Sequence, residues 1–213
     1  MPSIITAGAA SARGFGFGAP AFSSGIAFIG GGPVATGSAP TVGLPAGINA
    51  GDLLILLVGS NSSNSVPAGY TQIGYASYGG YFYVYYKFAS GSESSPTLTT
   101  TGTTTSAQIL AYRGATSLDV AGSFATAYGT SGTAPSISVA SPGELLLAIF
   151  FGSAGGTTWG SLPGFVTRSD YYSASFCEFW VGDMLTLSSG TKPTQTMTIS
   201  GNNYVNGIQI AFK

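Results

Sequence analysis

Gly51-Asp52-Leu53-Leu54-Ile55-Leu56-Leu57 recurs as Gly143-Glu144-Leu145-Leu146-Leu147-Ala148-Ile149. Each stretch is a glycine, an acid and a short unbroken apolar run. Such a run suits a strand buried on both faces; a helix would need a longer one. Neighbouring motifs recur in the same order. Pro67-Ala68-Gly69-Tyr70-Thr71 returns as Leu162-Pro163-Gly164-Phe165-Val166-Thr167. Pro96-Thr97-Leu98-Thr99 returns as Pro193-Thr194-Gln195-Thr196, and Ile109-Leu110-Ala111-Tyr112-Arg113 as Gln209-Ile210-Ala211-Phe212-Lys213. The spacing drifts by only a few residues, as loop insertions would cause. The pattern predicts two copies of one four-to-five-strand unit, over residues 39–114 and 134–213.

The rest of the chain reads as β structure. In Tyr81–Phe88, Phe82, Val84, Tyr86 and Phe88 share one face, opposite Tyr81, Tyr83, Tyr85 and Lys87. The first set reads as core and the second as a half-wet tyrosine row. Cys177, Phe179 and Val181 likewise oppose Phe176, Glu178 and Trp180, which places Glu178 on a solvent or interface face. Thr97–Thr101 and Thr194–Ile199 are Thr-rich and favour strands. Turn residues separate short strands throughout, the signal of an all-β sandwich or barrel. The predicted fold is a jelly-roll-like antiparallel β-sandwich forming one domain over residues 38–213. The link from Gly114 to Thr133 carries Leu118, Val120 and Phe124, so it is not a free tether.

Residues 1–37 read differently. Gly14-Phe15-Gly16-Phe17-Gly18 and Gly30-Gly31-Gly32 are too rich in glycine to order alone. They predict an extended N-terminal arm for assembly, with Arg13, Phe15, Phe17, Phe22 and Phe28 as its contacts. On this reading, deleting residues 1–37 abolishes assembly and leaves the sandwich folded.

Composition narrows the function. Charged residues are 6% of the chain, against roughly 25% in ordinary globular domains. The hydrophobic share of 44% rules out a disordered composition. So little surface charge suits a subunit of a homo-oligomer or larger assembly, where much of the surface is covered. The net charge of −1, with six cations and no basic block, gives no footprint for nucleic acid. The apolar runs are too short to span a bilayer as helices. Met1-Pro2-Ser3-Ile4-Ile5 lacks the basic and apolar segments of a secretory signal. Cys177 is the lone cysteine, so no intrachain disulfide forms.

Little catalytic chemistry is written here. The absence of histidine removes the usual general base and the commonest metal ligand. One cysteine cannot build a zinc site, and no Asp-x-Asp-x-Asp cluster favours calcium. Asp52 and Glu144 occupy matched positions and read as acceptors for turn N–H groups. The glycine runs are not followed by the Gly-Lys-Ser/Thr of a phosphate loop. The chain reads as a non-enzyme with no catalytic, metal or cofactor residues. Aromatics remain as candidates: Trp159 in a Gly/Thr-rich loop, with Tyr171, Tyr172, Tyr128 and Tyr81 near turns. Such rings cap a core, build a protein interface or stack on sugars.

The set Gly51–Leu54, Pro67–Thr71, Tyr85–Lys87, Pro96–Thr101 and Ala111–Gly114 resembles β-sandwich modules of bacteriophage tail and other virion proteins, and of some bacterial surface proteins. The leader Ser11-Ala12-Arg13-Gly14-Phe15-Gly16-Phe17 is similar to segments of phage structural proteins. The resemblance implies a structural or adhesive role in an extracellular virion, in tail fibre or baseplate. Its partners would be other virion proteins, copies of itself and a host-surface glycan. The alternatives are a capsid decoration (cement) protein and a carbohydrate-binding module of a surface protein.

Overall fold

A computed structural model describes residues 25–153, 155–174 and 176–213. Arg13, Phe15, Phe17 and Phe22 lie outside the described residues. Among those described, every regular element is a strand. The first sheet contains β1 (Ala27–Gly31), β2 (Ala35–Gly37), β3 (Leu53–Ser60), β4 (Thr71–Ala76), β5 (Tyr81–Phe88) and β6 (Thr105–Arg113). The second contains β7 (Leu118–Ala121), β8 (Ala125–Ala134), β10 (Leu145–Gly152), β11 (Val166–Tyr171), β12 (Glu178–Leu185) and β14 (Gln195–Phe212). β9 (Ile137–Val139) and β13 (Gly190–Lys192) pair separately.

The two sheets have the same strand order. One runs β1-β6-β3-β5-β4 with β2 also on β6; the other runs β7-β14-β10-β12-β11 with β8 also on β14. All pairings are antiparallel. The registers agree as well. Leu53 lies between Phe88 and Tyr112, and Leu145 between Leu185 and Phe212. Bulges fall at matching places, beyond Phe28 and Leu118 and beyond Gln72 and Thr167. Gly51 and Gly143 take φ of 84° and 83°, a left-handed conformation that strains any residue with a Cβ. Each glycine thereby turns the chain into its buried strand.

Each sheet comes from one contiguous part of the chain. A jelly roll passes strands back and forth between its two sheets, so this connectivity differs from the jelly-roll expectation. The predicted arm boundary moves too. β1 and β2 lie within residues 1–37, yet both hydrogen-bond to β6 and complete the first sheet. Their counterparts on β14 are β7 and β8, which occupy the Gly114–Thr133 link.

The two sheets share one core. Leu53, Ile55 and Leu57 from β3 join Leu147, Ile149 and Phe151 from β10 in a single apolar cluster. Ring pairs cross between the sheets, with Phe82 at 5.3 Å from Phe151 and Tyr86 at 5.6 Å from Phe212. Burying each such side chain stabilises the fold by roughly 1.5–3 kcal/mol. One matched pair of positions shows two chemistries. Ser169 Oγ donates to Gln108 Oε1 at 2.6 Å, while at the equivalent Gly74 and Ile208 an added Cβ would come within 2.9 Å of Ile208 Cδ1.

The outer faces are covered as well, which is why β3 and β10 are buried along their whole length. Val42 and Leu98 cover Leu54, Leu56 and Val58; Trp159, Leu162 and Met197 cover Ala148, Phe150 and Trp180. The Thr97–Thr101 segment forms isolated bridges, Thr41 to Thr97 and Asn64 to Thr100, in place of the predicted strand. This cover corrects the half-wet tyrosine row: Tyr83 and Tyr85 are buried beneath it. Asn64 satisfies both, donating its backbone N–H to Tyr83 Oη and its side-chain amide to Tyr85 Oη at 3.2 Å each. Burial pushes the Tyr85 phenol up to about 12.

Candidate functional site

At the end of the sheets where β12 begins, three tyrosines gather in the open. Tyr78 comes from the β4–β5 turn, Tyr128 from β8 and Tyr204 from β14. Tyr128 and Tyr204 are register partners with rings 4.8 Å apart, and Tyr78 meets Tyr204 edge-on at 5.0 Å. They remain 41%, 59% and 37% exposed for Tyr78, Tyr128 and Tyr204. The turn holds Tyr78 in place. Asn206 Nδ2 donates to its carbonyl at 3.1 Å. The adjoining Gly79 has φ of 76°, and a Cβ there would come within 2.5 Å of Tyr204. Only glycine lets the first sheet's turn lie against the second sheet's tyrosine.

Beside this patch lies a sealed polar cluster. Asn203, one residue before Tyr204, accepts the Ser153 N–H at 3.1 Å and donates to Glu178 Oε1 at 2.8 Å. The Thr157 hydroxyl donates to the same carboxylate oxygen, and Asn203 donates to Thr157 Oγ1 at 3.1 Å. Glu178 is fully buried, which corrects its predicted place on a solvent or interface face. Burial pushes its carboxyl up to about 7 against the opposing Asn203 and Thr157 hydrogen bonds, and the Asp170 charge adds to the rise. The cluster ties the 153–162 loop to the base of Tyr204.

The predicted aromatics divide by environment. Trp159 is nearly buried, bridges Ile199 and sits 6.5 Å from Phe150, so its ring closes the outer core of the second sheet. Tyr171 is half-buried against Phe179 at 5.1 Å. Tyr81 is half-buried and stacks with the exposed Tyr75 at 6.4 Å. Tyr172 and Tyr128 are exposed. Phe28, an expected arm contact, packs in cis. It lies 5.2 Å from Tyr112, and the Arg168 guanidinium sits over its ring at 4.6 Å. The structure therefore brings Tyr128 together with Tyr78 and Tyr204, and not with Trp159 or Tyr81. Tyr204 escapes the sequence reading, although its setting in Gly201-Asn202-Asn203-Tyr204 is a signal: an aromatic in a polar stretch is poorly explained as core.

At the opposite end, the two acids after Gly51 and Gly143 accept turn N–H groups as predicted. Asp52 takes Asn49 N–H at 2.6 Å and Glu144 takes Ser141 N–H at 2.7 Å. Asp52 also receives Arg113 Nε at 3.0 Å and Nη2 at 2.9 Å, and this guanidinium holds its carboxyl below the usual range. Among the described residues, no cluster of three or more His, Cys, Asp or Glu is placed to hold a metal ion. No helix there is long and apolar enough to cross a membrane. Comparisons with protein-family models, with curated proteins and with solved structures gave no match.

Proposed function

We propose that this chain is a non-enzymatic structural and adhesive component of a virion, tail-fibre or baseplate-associated, that makes contact through its tyrosine tip. The observation that carries the reading is the Tyr78–Tyr128–Tyr204 patch, exposed on a chain with 6% charged residues. Exposed tyrosines supply large contact area at low entropic cost, with a phenol at the rim for hydrogen bonds. The scaffold beneath is built to keep that patch fixed: two sheets on one core, with the turn bearing Tyr78 held by Asn206. The matched strand orders and bulges support an origin by internal duplication of the sheet unit. The tyrosine patch breaks that match, as a feature added for contact would.

The same rings favour a second reading, a carbohydrate-binding module. Sugar C–H faces stack on exposed aromatic rings, and a low-charge surface suits a neutral glycan. Two measurements separate these. Immunogold labelling of particles with an antibody to this chain marks the tail on the first reading; label on the capsid surface indicates a decoration protein. Glycan-array binding without any particle label supports the free module. Absence of both sinks the adhesive reading.

A further inference from the structure

We propose that β8 is a docking edge for a second copy of this chain, and that two β8 strands pair antiparallel about a two-fold axis. The inference concerns assembly and does not rest on the adhesive reading.

β8 is a long edge without a cover. It runs for ten residues, Ala125–Ala134, and pairs along one side with β14. Among the described residues, no hydrogen bond reaches its outward N–H and C=O groups from Ala125 to Thr133. Such an edge is a template for a further strand. Its counterpart in the first sheet, β2, has only three residues. The length of β8 is therefore a departure from the matched plan.

Proteins blunt exposed edges with short strands, bulges and charges. The other edge strands here carry those devices. An extra residue bulges out of β1 at Ile29, β4 at Ile73, β7 at Asp119 and β11 at Arg168. Two of those four are also charged. In β8 the arrangement is reversed. The extra residues, Ile199–Asn202, belong to the inner partner β14 and stand against Thr130 alone. No charged residue occurs from Val120 to Gly143, nor anywhere in β14.

The side chains select the occupant. In the first half of β8, Thr126 and Tyr128 are exposed; beyond Thr130 and Ser131 the phase changes, and Gly132 and Ala134 are buried. Ala127 and Gly132 share the covered face, as register partners of Val205 and Met197 in the outer core. A strand of constant phase matches one half of this edge and turns its wrong face to the other. A second β8, antiparallel and with its Thr130 opposite Gly129, matches throughout. Tyr128 then faces the second copy's Ser131, and Thr126 its Thr133. On the covered face, Ala127 meets the second copy's Gly132, and Ala125 its Ala134. No like charges oppose, and the small side chains leave the backbones free to approach. The two-fold is closed, so assembly stops at a dimer. Both tyrosine clusters then stand on the same side of one continuous sheet.

The test is sedimentation of the full chain across micromolar concentrations, with hydrogen exchange on the same samples. A dimer is expected, with β8 amides better protected as concentration rises. Thr126→Lys/Thr133→Lys sets lysine opposite lysine twice across the axis and should weaken dimerisation on the order of tenfold. Thr126→Lys/Thr133→Glu sets opposite charges there and should keep the dimer at wild-type strength or better. Melting temperatures check that both variants fold, and the wild-type exchange data stand without them. A chain monomeric at every concentration overturns the proposal, as does a ring of three or more. So does β8 protection that is independent of concentration, which would mean an edge covered within one chain. Equal dimerisation by wild type and the double-lysine variant, or equal weakening in both variants, overturns it as well.

Discussion

Glu178 is an acid in a place that disfavours charge, and its consequence is a slope in stability against pH. Its carboxyl rises from 4.5 to about 7 on folding, chiefly by burial. Between those values the unfolded chain ionises while the folded chain keeps its proton. Stability therefore falls as pH rises through that window, by on the order of 3 kcal/mol if Glu178 alone acts. Glu178→Gln keeps the shape and both acceptor contacts while removing the charge. Denaturant midpoints should show the variant more stable than wild type at pH 8 and nearly equal to it below pH 4.5; parallel pH profiles would contradict this. Asp52 runs the other way. Arg113 lowers its carboxyl below the usual 3.8, so its contribution is present at neutral pH and is lost as acid protonates it. Asp52→Asn should cost about 1–3 kcal/mol at pH 7 and progressively less below pH 3.8, read by the same titration. The roles of Asp52 and Glu144 were legible because a Gly-acid pair before an apolar run describes its own turn. The burial of Glu178 was not. Alternation assigned it to the outward face, and only the 153–162 loop, distant in sequence, makes that face an interior.

At the scale of elements, β1 and β2 change what a truncation does. A Gly-rich segment carries no periodicity of its own, so its strands are invisible until β6 offers an edge. They form because β6 presents unpaired backbone groups, and glycine lets Gly31 lie within 3.1–3.2 Å (measured from an added Cβ) of Gln108 and Leu110. Deleting residues 1–37 therefore strips an edge from the first sheet and uncovers Tyr112, in place of releasing an intact sandwich. The full chain should melt in a single sharp transition, and the truncated chain should lose it or melt at markedly lower temperature; an unchanged melting temperature would restore a separable arm. The strands β3, β5, β6, β10 and β12 were readable because period-two and unbroken apolar runs report burial directly. The Thr-rich segments were half-readable. Their composition favours extended chain, but 96–101 serves as a cover held by bridges, while the matching stretch is absorbed into the long β14.

Across the whole molecule, the matched sheets share one core and should unfold as one unit. Phe151 touches Phe82, Phe124 and Phe179, from both sheets. Phe151→Ala should cost about 3–5 kcal/mol and shift the entire transition; two separate transitions would mean the sheets are independent. Sequence repetition outlined this scaffold, since each motif marks a strand that must be buried. It could not outline the tip, because Tyr78, Tyr128 and Tyr204 come from three segments that only the packing of one sheet on the other brings together. That tip is the centre of the functional account. The most direct measurement is binding of the full chain to a panel of bacterial cells, compared with a Tyr78→Ala/Tyr128→Ala/Tyr204→Ala variant of unchanged melting temperature. The account predicts that wild type binds at least one strain and that the variant loses about tenfold or more, since each buried aromatic contact is worth roughly 1 kcal/mol or more. Equal binding by both proteins, or none by wild type, would contradict it.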